Sequence, residues 1–505
     1  MKIQNSENLV NISKKLKANN KSIALCHGVF DFFHYGHLKH FKKAKNLADV
    51  LIVTLTADRF GAKAPGRPFF NEKLRAEIIA NLECVDYVCI NNASTPIEII
   101  NKIKPNIYVK GKDYKNFKND LTGNINLEAE AIKKVKGKIY FTNEITFSSS
   151  NILNNYSGIL NEEQKIFIKK IVNRYSFNDI LKYLNLLNKT KILVIGETII
   201  DQYIFLETLN RSGKDTYLAT KSLSQENYIG GAASIVKNCS SFSNKVSFVS
   251  LVGEKNDYLS FIKKELPKKI NKKFFIKKKS PTILKRRFVD YISKNKLFGF
   301  YDFNDSEIDD KLTNKIVSYL RKNISNKYDL VIVADYGHGF INEKIINCLH
   351  KISKNIAVNA QVNSSNIGFH SLKKYKKANF LIINENELRH EVRDKEEKIE
   401  KIALNFKRKN NYKTLVVTMG KNGALIISKK NTIIKCPSFT SNVIDKVGAG
   451  DTMLSIIAPL LTNKTPDLLS IFLGNIAGGI SVKNLGNSIS LDKIKLIKYC
   501  ENLIK

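Results

Sequence analysis

Short apolar runs alternate with longer stretches of helical spacing through the first 150 residues of the chain. The apolar runs predict buried strands at 22–26, 49–55, 85–90 and 106–110. Between these runs, residues 36–47 and 72–83 have the spacing of helices that bury one face. The alternation predicts an α/β domain that is built on a doubly wound parallel sheet.

The same alternation returns from Lys191 onward over a longer segment. Its apolar runs predict strands at 191–195, 247–252, 329–334, 355–358, 380–383 and 414–418. The first of these runs is expected to stop at Gly196. Residues 203–229 and 282–303 alternate in steps of two and are rich in Tyr, Phe and Thr, which predicts antiparallel strands. We therefore expect a larger α/β domain with a small β-lid.

A stretch of different character joins the two segments. Residues 160–188 have helical spacing and contain no glycine, so they predict connecting helices. We expect one domain at 1–156, a helical linker at 157–189 and a second domain at 190–505.

Composition narrows the class of protein. With 43% hydrophobic and 26% charged residues, the chain is expected to fold rather than to be disordered. It has no apolar run long enough for membrane insertion, and its first 20 residues lack the apolar centre of a secretory signal. The seven cysteines form no C-x-x-C pair, which disfavours disulfides and structural zinc and predicts a cytoplasmic protein.

The formal net charge of +37 is large, and a charge of this size attracts anions. Only 11 of the 83 basic residues are Arg, and the lysines are spread over the whole chain. Nucleic-acid modules concentrate Arg and aromatic residues on one surface, and the sequence has no such cluster. We expect no specific nucleic-acid partner, and we interpret the lysines as a solvated surface around sites for phosphorylated substrates.

Four of the eight histidines fall between positions 27 and 40. His34-x-Gly36-His37 follows an apolar strand and leads into a helix, where free N–H groups and the helix dipole favour an anion such as phosphate. The alternative is a metal site, because His37 and His40 share a helical face. No carboxylate or cysteine with ligand spacing accompanies them.

These residues carry a family resemblance. GVFDFFHYGH at 28–37 resembles the G-x-F-D-x-x-H-x-G-H signature of nucleotidyltransferases that include cytidylyltransferases and heptose-1-phosphate adenylyltransferases. Further matches follow in order, namely GRP at 66–68, Arg75, LECVDYV at 82–88, VKGKDY at 109–114 and FSSSNI at 147–152. The closest likeness is to the heptose-phosphate type, from which Lys112 and the Ser148–Ser150 run depart.

The resemblance implies attack by a sugar phosphate on the α-phosphate of ATP or CTP, with release of pyrophosphate. It implies that His34 and His37 stabilise developing charge, and that Asp31 is structural or turn-forming rather than catalytic. Nucleotide and phosphate contacts would come from Gly28, Phe30, Gly36, Arg75, Lys110, Ser148, Ser149 and Ser150. Taken alone, the serines would be read as a helix cap.

A second motif lies near the carboxyl end, where VIDKVGAGDT at 443–452 precedes an apolar helix. Gly448, Ala449 and Gly450 at a helix start would turn N–H groups toward a phosphoryl group, and Asp451 could take a proton. By itself the motif is equally compatible with a tight turn.

Its partners resemble the ribokinase / phosphofructokinase-B family of sugar kinases over residues 190–500. They are VIGETIID, YIGGAASIVKN, LIINENE and VTMGKNG, which end at positions 201, 238, 387 and 423. The resemblance implies a ribokinase-like α/β domain in which Asp451 is the general base and Gly448–Gly450 are the anion hole. It assigns Gly420, Gly423 and Asn475 to ATP, Asp201, Gly230, Gly231 and Asn238 to the sugar, and Asn384 and Glu387 to Mg²⁺ through water.

Three segments depart from the heptose kinases that this region resembles most. They are residues 210–216, Ser234 in place of Asn, and VNAQ at 358–361 in place of I-D-P-K. All three fall where sugar or phosphate would be recognised. The sugar of this chain could therefore differ from that of the heptose kinases.

Together the resemblances imply a bifunctional enzyme that phosphorylates a sugar or sugar phosphate with ATP and Mg²⁺ and activates a sugar 1-phosphate. Heptose 7-phosphate is the default substrate, and a homo-oligomer is compatible with the sequence. One alternative keeps both activities on another phosphosugar or polyol phosphate, with CTP as donor. The other is a lysine-rich regulatory or nucleic-acid-binding protein with relic enzyme domains.

Overall fold

The computed structural model describes residues 2–61, 67–114, 124–143, 160–211, 218–255, 258–362, 366, 370–375, 378–440 and 443–504. The chain divides into two compact units. The first comprises Met1–Asn161 and Ile497–Lys505, and the second comprises Glu162–Leu496. The predicted domain boundary at 156 falls outside the described residues.

A five-stranded, fully parallel sheet forms the centre of the first unit. Its strands are β1 (Ile23–Gly28), β2 (Val50–Thr56), β3 (Tyr87–Asn91), β4 (Ile107–Gly111) and β5 (Lys138–Thr142). They lie in the order β3-β2-β1-β4-β5. The helices are Ser6–Ala18, Tyr35–Lys45, Asp58–Gly61, Glu72–Ala80, Ile97–Ile103 and Asn124–Lys134.

Helices cover both faces of this sheet because its central strands are apolar on both sides. In β1, Ile23 and Leu25 pack into one core cluster, while Ala24 and Cys26 pack into the other. The strand order reverses between β1 and β4, and ligands of doubly wound sheets bind outside the carboxyl ends of the strands at such a reversal. The turn that contains His34 follows β1 at that edge.

The second unit is built on a larger, mostly parallel sheet. Its path is β9-β8-β6-β12-β13-β14-β15, followed by the antiparallel strands β16 and β17. These strands are β6 (Lys191–Arg211), β8 (Lys245–Gly253), β9 (Asn271–Lys277), β12 (Leu330–Asp335), β13 (Ile356–Ala360), β14 (Phe380–Asn384), β15 (Thr414–Thr418), β16 (Ala424–Ile427) and β17 (Ile433–Cys436).

The longest strand, β6, belongs both to the central sheet and to the lid. Its first residues pair with β8 and β12. Its later residues pair with β7 (Leu218–Gly231) and β10 (Ile283–Asp290), and β10 pairs with β11 (Lys296–Asp302). The expectation that the strand stops at Gly196 is wrong. This glycine allows β12 to approach, because a Cβ here would lie 2.1 Å from the Ala334 carbonyl oxygen.

Helices pack around the second sheet, and two of them precede its first strand in the chain. They are Glu162–Val172, Phe177–Leu186, Ala232–Ser240, Leu259–Glu265, Asp310–Asn323, Glu343–Ile352, Glu385–Val392, Ile399–Asn410, Ala449–Thr462 and Asp467–Ser481, together with Lys493–Ile504, whose residues from Ile497 onward belong to the first unit. The first two occupy the stretch where connecting helices are predicted. Among the described residues, none of the helices combines the length and apolar character that crossing a membrane requires. The predicted fold class is confirmed.

Candidate functional sites

The His34–His37 turn opens a helix at the carboxyl end of β1. His34 is the N-cap of helix Tyr35–Lys45, and its Nδ1 accepts a hydrogen bond of 3.1 Å from the Gly36 N–H. The imidazole therefore takes the place that Ser or Asp usually fills at a helix start. This bond leaves the proton on Nε2, so His34 can act as a hydrogen-bond donor.

His34 and His37 lie against each other. Their rings stack with centroids 3.9 Å apart and an interplanar angle of 17°. Burial, together with His34 and His40, lowers the pKa of His37 to about 3, and burial also lowers the pKa of His34. Nδ1 of His37 is buried without a hydrogen-bond partner in the described residues. The pair is thus uncharged near neutral pH and has donor capacity to offer an anion.

Aromatic rings enclose this pair. The Phe30 ring meets His37 edge-on at 5.4 Å, and Phe30 and Phe32 both have φ of 48°, in the left-handed region. Gly28 lies directly under the Phe30 ring, which a Cβ at that position would approach to 3.0 Å. Asp31 accepts hydrogen bonds from the Phe69 and Phe70 N–H groups, which agrees with its predicted turn-forming role.

Two cations that are predicted to neutralise phosphate oxygens are occupied within the protein. Arg75 is only 1% exposed; it donates hydrogen bonds to the Phe70, Val29 and Thr56 carbonyl oxygens and pairs with Asp58. Lys110 Nζ lies 2.9 Å from the Glu128 carboxylate and is also buried. The structure thus gives both side chains partners within the protein that sequence spacing does not reveal, and their predicted contacts with phosphate oxygens stay predictions.

The alternative metal site at His37 and His40 does not gather further ligands. His40 Nδ1 shares a hydrogen bond of 3.0 Å with the Thr142 hydroxyl. Within the ranges that the structure describes, no group of three or more His, Cys, Asp and Glu side chains is placed to hold a metal ion. The predicted Ser148, Ser149 and Ser150 lie outside the described residues.

A cleft of about 1140 Å³ forms the candidate site of the second unit. It gathers residues from strands at the carboxyl edge of the sheet, from the lid and from two helix starts. The predicted residues that line it are Asp201, Gly231, Asn384, Glu387, Gly420, Gly423, Gly448, Ala449, Gly450, Asp451 and Asn475.

Asp451 lies in the first turn of helix Ala449–Thr462, whose N-cap is Gly448. The glycine has φ of 80°, and a Cβ there would lie 2.1 Å from the Asn487 amide oxygen. Burial raises the pKa of Asp451 to about 6, as does Asp201, while a hydrogen bond from Tyr336 and the charge of Lys285 oppose the shift. The carboxylate is therefore charged at neutral pH and can accept a proton.

The lid brings cations to the cleft that sequence reasoning did not identify. Arg287 Nη1 pairs with Asp201 at 2.6 Å, and Lys296 pairs with Asp445 at 2.6 Å. Lys285 also lines the cleft but forms no ion pair with any carboxylate among the described residues. The signal was present: Lys285 and Arg287 are two apart on a predicted strand, so they share one face.

Asn384 and Glu387 cap the helix that follows β14. The Asn384 side chain accepts a hydrogen bond from the Glu387 N–H, and the Glu387 carboxylate accepts one from the Asn384 N–H. This is a capping box, which satisfies two N–H groups at the helix start. Burial raises the pKa of Glu387 to about 7, so a cation in the cleft would stabilise its charged form.

Other predicted residues have different surroundings. Asn238 is buried, donates to the Thr452 hydroxyl and accepts from the Leu491 N–H, so its side chain joins helices rather than facing the cleft. Gly230 lies in the β6–β7 ladder opposite Ile199 and outside the cleft lining, and Ser234 is buried in its helix. Asn238 and Gly230 thus lie outside the cleft lining, and their predicted contact with the sugar stays a prediction.

A turn after β15 also lines the cleft. Gly420 and Gly423 begin and end this turn, and the Met419 N–H donates to the Gly423 carbonyl oxygen. Asn475 donates to the Cys436 carbonyl oxygen. From the departing VNAQ segment, Asn359 and Gln361 also line the cleft.

Comparison with known families divides the chain as its units do. Residues 189–494 match the model of the pfkB family carbohydrate kinases, and residues 25–158 match the Cytidylyltransferase-like model. Two solved phosphofructokinase-2 structures from Escherichia coli, one of a mutant and one with potassium, align with TM-scores of 0.52 and 0.51. Each alignment covers 63% of this chain and all of that one, and at 14% identity it shows the fold alone.

Curated relatives match a shorter part of the chain. The Bifunctional protein HldE of Campylobacter jejuni is 45% identical over 116 residues, or 23% of this chain and 24% of the relative. The protein of the same name from Geobacter metallireducens is 42% identical over 115 residues, or 22% and 24% of the two chains. The matches thus span about a quarter of the length of these relatives.

Proposed function

Because the chain belongs to the pfkB family of carbohydrate kinases and carries a cytidylyltransferase-like segment, we propose that it is a bifunctional enzyme of nucleotide-sugar synthesis. One site phosphorylates a sugar or sugar phosphate with ATP. The other joins a nucleotide from ATP or CTP to a sugar 1-phosphate and releases pyrophosphate. Similarity to proteins named Bifunctional protein HldE supports this pairing, with heptose 7-phosphate as the first substrate to test.

In the kinase half, Asp451 acts as the general base. The acceptor hydroxyl oxygen attacks the γ-phosphorus of ATP, the bond from that phosphorus to the bridging oxygen breaks, and ADP leaves. The hydroxyl proton passes to Asp451, whose pKa of about 6 leaves it charged at neutral pH. N–H groups at the start of helix Ala449–Thr462 stabilise the charge on the transferred phosphoryl group.

Magnesium fits the part of this cleft that Asn384 and Glu387 line. Asn384 and Glu387 offer an amide oxygen and a carboxylate, which are the oxygen ligands that Mg²⁺ takes. Both are already joined in the capping box, so contact through water suits them better than direct coordination. When bound, the ion would supply positive charge that offsets the charge of the phosphates, and the buried carboxylate of Glu387 is the feature that supports its binding here.

The lid side of the cleft suits an acceptor that carries a phosphate. Asp201 is placed to accept hydrogen bonds from sugar hydroxyls, and Arg287 and Lys285 supply positive charge beside it. A free sugar would leave the half-buried Lys285 without an anionic group of the acceptor to pair with, which is less favourable. These contacts favour a phosphosugar over a neutral sugar.

In the transferase half, His34 and His37 act as neutral hydrogen-bond donors. An oxygen of the sugar 1-phosphate attacks the α-phosphorus of the nucleoside triphosphate, the bond to the β-phosphate oxygen breaks, and pyrophosphate leaves. The imidazoles and the N–H groups at the start of helix Tyr35–Lys45 stabilise the charge that develops on the phosphate oxygens.

The single observation that carries the proposal is the placement of Asp451, at a helix start and beside both acidic and basic side chains. The VNAQ residues that line the cleft favour one alternative, in which both activities act on another phosphosugar or polyol phosphate and CTP is the nucleotidyl donor. A cytoplasmic location, a homo-oligomer and the lack of a specific nucleic-acid partner remain parts of the proposal.

One screen tests these assignments together. ADP formation and pyrophosphate release are measured with ATP and CTP against seven-carbon and six-carbon sugar phosphates, polyol phosphates and free sugars. We expect ADP only with an acceptor present, and pyrophosphate only with a sugar 1-phosphate and Mg²⁺. The lack of both products with every acceptor would contradict the bifunctional enzyme and favour relic domains.

A further inference from the structure

Tyr336 lies behind the catalytic cleft at the end of β12. It is only 2% exposed, yet its side chain reaches the cleft lining. Its hydroxyl donates a hydrogen bond of 2.8 Å to Oδ1 of Asp451, which is 115 positions away in the chain. Burial and Asp451 hold the pKa of Tyr336 well above its usual value, so the hydroxyl keeps its proton and remains a donor.

The backbone around Tyr336 is fixed by two buried carboxylates. Glu197 on β6 is fully buried and accepts hydrogen bonds from the Tyr336 N–H at 3.0 Å and the His338 N–H at 3.3 Å. Asp335 accepts from the Gly337 N–H at 2.9 Å and pairs with Lys374 at 2.6 Å. A turn held at both ends leaves the Tyr336 ring little freedom to move.

From these contacts we propose that Tyr336 is a positioning residue of the kinase site: its hydroxyl fixes the orientation of the Asp451 carboxylate and stabilises its charged form. The inference rests on the proposed function of Asp451 as the base. One carboxylate oxygen is occupied by Tyr336, so the other is left to take the proton of the acceptor hydroxyl. A base fixed in this way enters the reaction already aligned.

Several charged groups act on Asp451, and their effects on its pKa differ in sign. Asp201 on β6 and Glu387 on the helix after β14 disfavour its charge, while Lys285 on β10 and the Tyr336 hydroxyl favour it. Removing the hydroxyl takes away a stabilising contact of the charged form. The pKa of Asp451 must then rise.

The test compares the pH dependence of phosphotransfer in the wild-type chain, Tyr336→Phe and Asp451→Asn. We expect Tyr336→Phe to keep the KM for ATP and to move the acid limb of kcat upward by roughly one pH unit, with about a tenfold loss of rate below the limb. In the Asp451→Asn background, the same substitution should change the rate by less than about twofold, because the charged carboxylate that the hydroxyl stabilises is gone.

A matched control is Tyr375→Phe. Tyr375 is equally buried and donates to the Asp335 carboxylate, so its loss removes a similar hydrogen bond without touching Asp451. It should lower the thermal unfolding temperature and leave the acid limb in place. If Tyr336→Phe fails to bind ATP, Tyr336→Met fills the same space without a hydroxyl and takes its place in the comparison.

The outcomes separate the inference from the function on which it rests. The role of Tyr336 is overturned if the acid limb stays in place in Tyr336→Phe, or if Tyr375→Phe shifts it equally. In either case, an active wild type and an inactive Asp451→Asn variant would still support the kinase function. A wild-type chain without turnover on any acceptor overturns both.

Discussion

The two candidate sites lie at helix starts beside different parallel sheets, but they present different chemical groups. Each follows the carboxyl end of a parallel strand or lies at a helix start, where N–H groups favour phosphate. The first site presents stacked imidazoles, whereas the second presents carboxylates opposed by lysine and arginine. The difference lies in the nucleophile that each site is proposed to serve.

A sugar 1-phosphate already carries negative charge near neutral pH, because the second pKa of a phosphate monoester is about 6. It needs no base, and the first site provides none at the helix start, only donors. A sugar hydroxyl must lose its proton as it attacks, and the second site places Asp451 for that purpose. The side chains at each helix start thus match the protonation state of the proposed nucleophile.

Burial acts on both sites and leaves each group in the form that its role requires. It lowers the pKa of His37 to about 3, so the imidazole is neutral, and it raises the pKa of Asp451 to about 6, so the carboxylate is still charged at pH 7. The comparison can be broken by variants that remove one group and leave the other half of the enzyme as an internal control.

The largest effect is expected from Asp451→Asn. The amide keeps the shape of the carboxylate but cannot take a proton, so ADP formation should slow by roughly a hundredfold to ten-thousandfold. Binding of ATP, measured by calorimetry, should change little, and pyrophosphate release by the other half should be unchanged. An undiminished rate of ADP formation would mean that the GAGD segment is only a turn.

The reciprocal variant is His37→Ala. Loss of a donor to the developing charge should slow pyrophosphate release about a hundredfold, which corresponds to about 3 kcal/mol. ADP formation by the kinase half serves as the control and should stay at the wild-type rate. Loss of both activities together would indicate misfolding, and full transferase activity would remove the histidine pair from the site.

These comparisons also show what could be read from the sequence. The predicted strand at 22–26 and the helix at 36–47 are observed as Ile23–Gly28 and Tyr35–Lys45, because local spacing decides which residues are buried. Motifs that depend on a strand followed by a helix start, such as those of His34 and Asp451, could be located at helix starts for the same reason.

Contacts between distant segments could not be read in this way. Arg287 and Asp201 are 86 positions apart, and the pair forms only because β10 lies beside β6 in the lid. Arg75 has the sequence position of a substrate-binding cation, but its guanidinium bonds to backbone carbonyls of three separate segments. Spacing along the chain does not show whether a charged side chain will face a ligand site or form hydrogen bonds and ion pairs inside the protein.

Lys285→Met sharpens the assignment of the acceptor. If Lys285 contacts a phosphate of the acceptor, its loss should raise the KM for a phosphosugar on the order of tenfold to a hundredfold, while the KM for ATP stays the same. Lys278→Met removes the same charge at an exposed position of the neighbouring segment and should have no effect. An equal change in KM for a free sugar would contradict phosphate recognition.

The pH profiles of the two halves should differ by a smaller but diagnostic amount. Kinase activity requires charged Asp451, so it should fall as the pH drops through about 6, with about a tenfold loss one unit lower. Burial lowers the pKa of His34, and the pKa of His37 is about 3, so His37 should give the transferase no limb between pH 5 and 8. The sugar 1-phosphate itself ionises near pH 6, so its titration is measured separately, and a transferase acid limb beyond that of the substrate would contradict this contrast.

The smallest effect is expected from Glu387→Gln, which separates the structural role of this residue from its metal role. Glutamine preserves the capping box, because its amide oxygen can accept the hydrogen bond from the Asn384 N–H, so the unfolding temperature should hardly change. It removes the buried charge that a cation would stabilise, so the Mg²⁺ concentration for half-maximal kinase rate should rise a few-fold. Glu400→Gln, on the next helix and paired with Lys435, is the matched control and should leave the Mg²⁺ requirement unchanged.

Because burial raises the pKa of Glu387 to about 7, the Mg²⁺ requirement of the wild-type chain should itself rise as the pH falls below 7, and this dependence should be lost in Glu387→Gln. A Mg²⁺ titration of ADP formation at pH 6 and pH 8 decides the matter: identical curves for both proteins would leave Glu387 as a helix cap and nothing more.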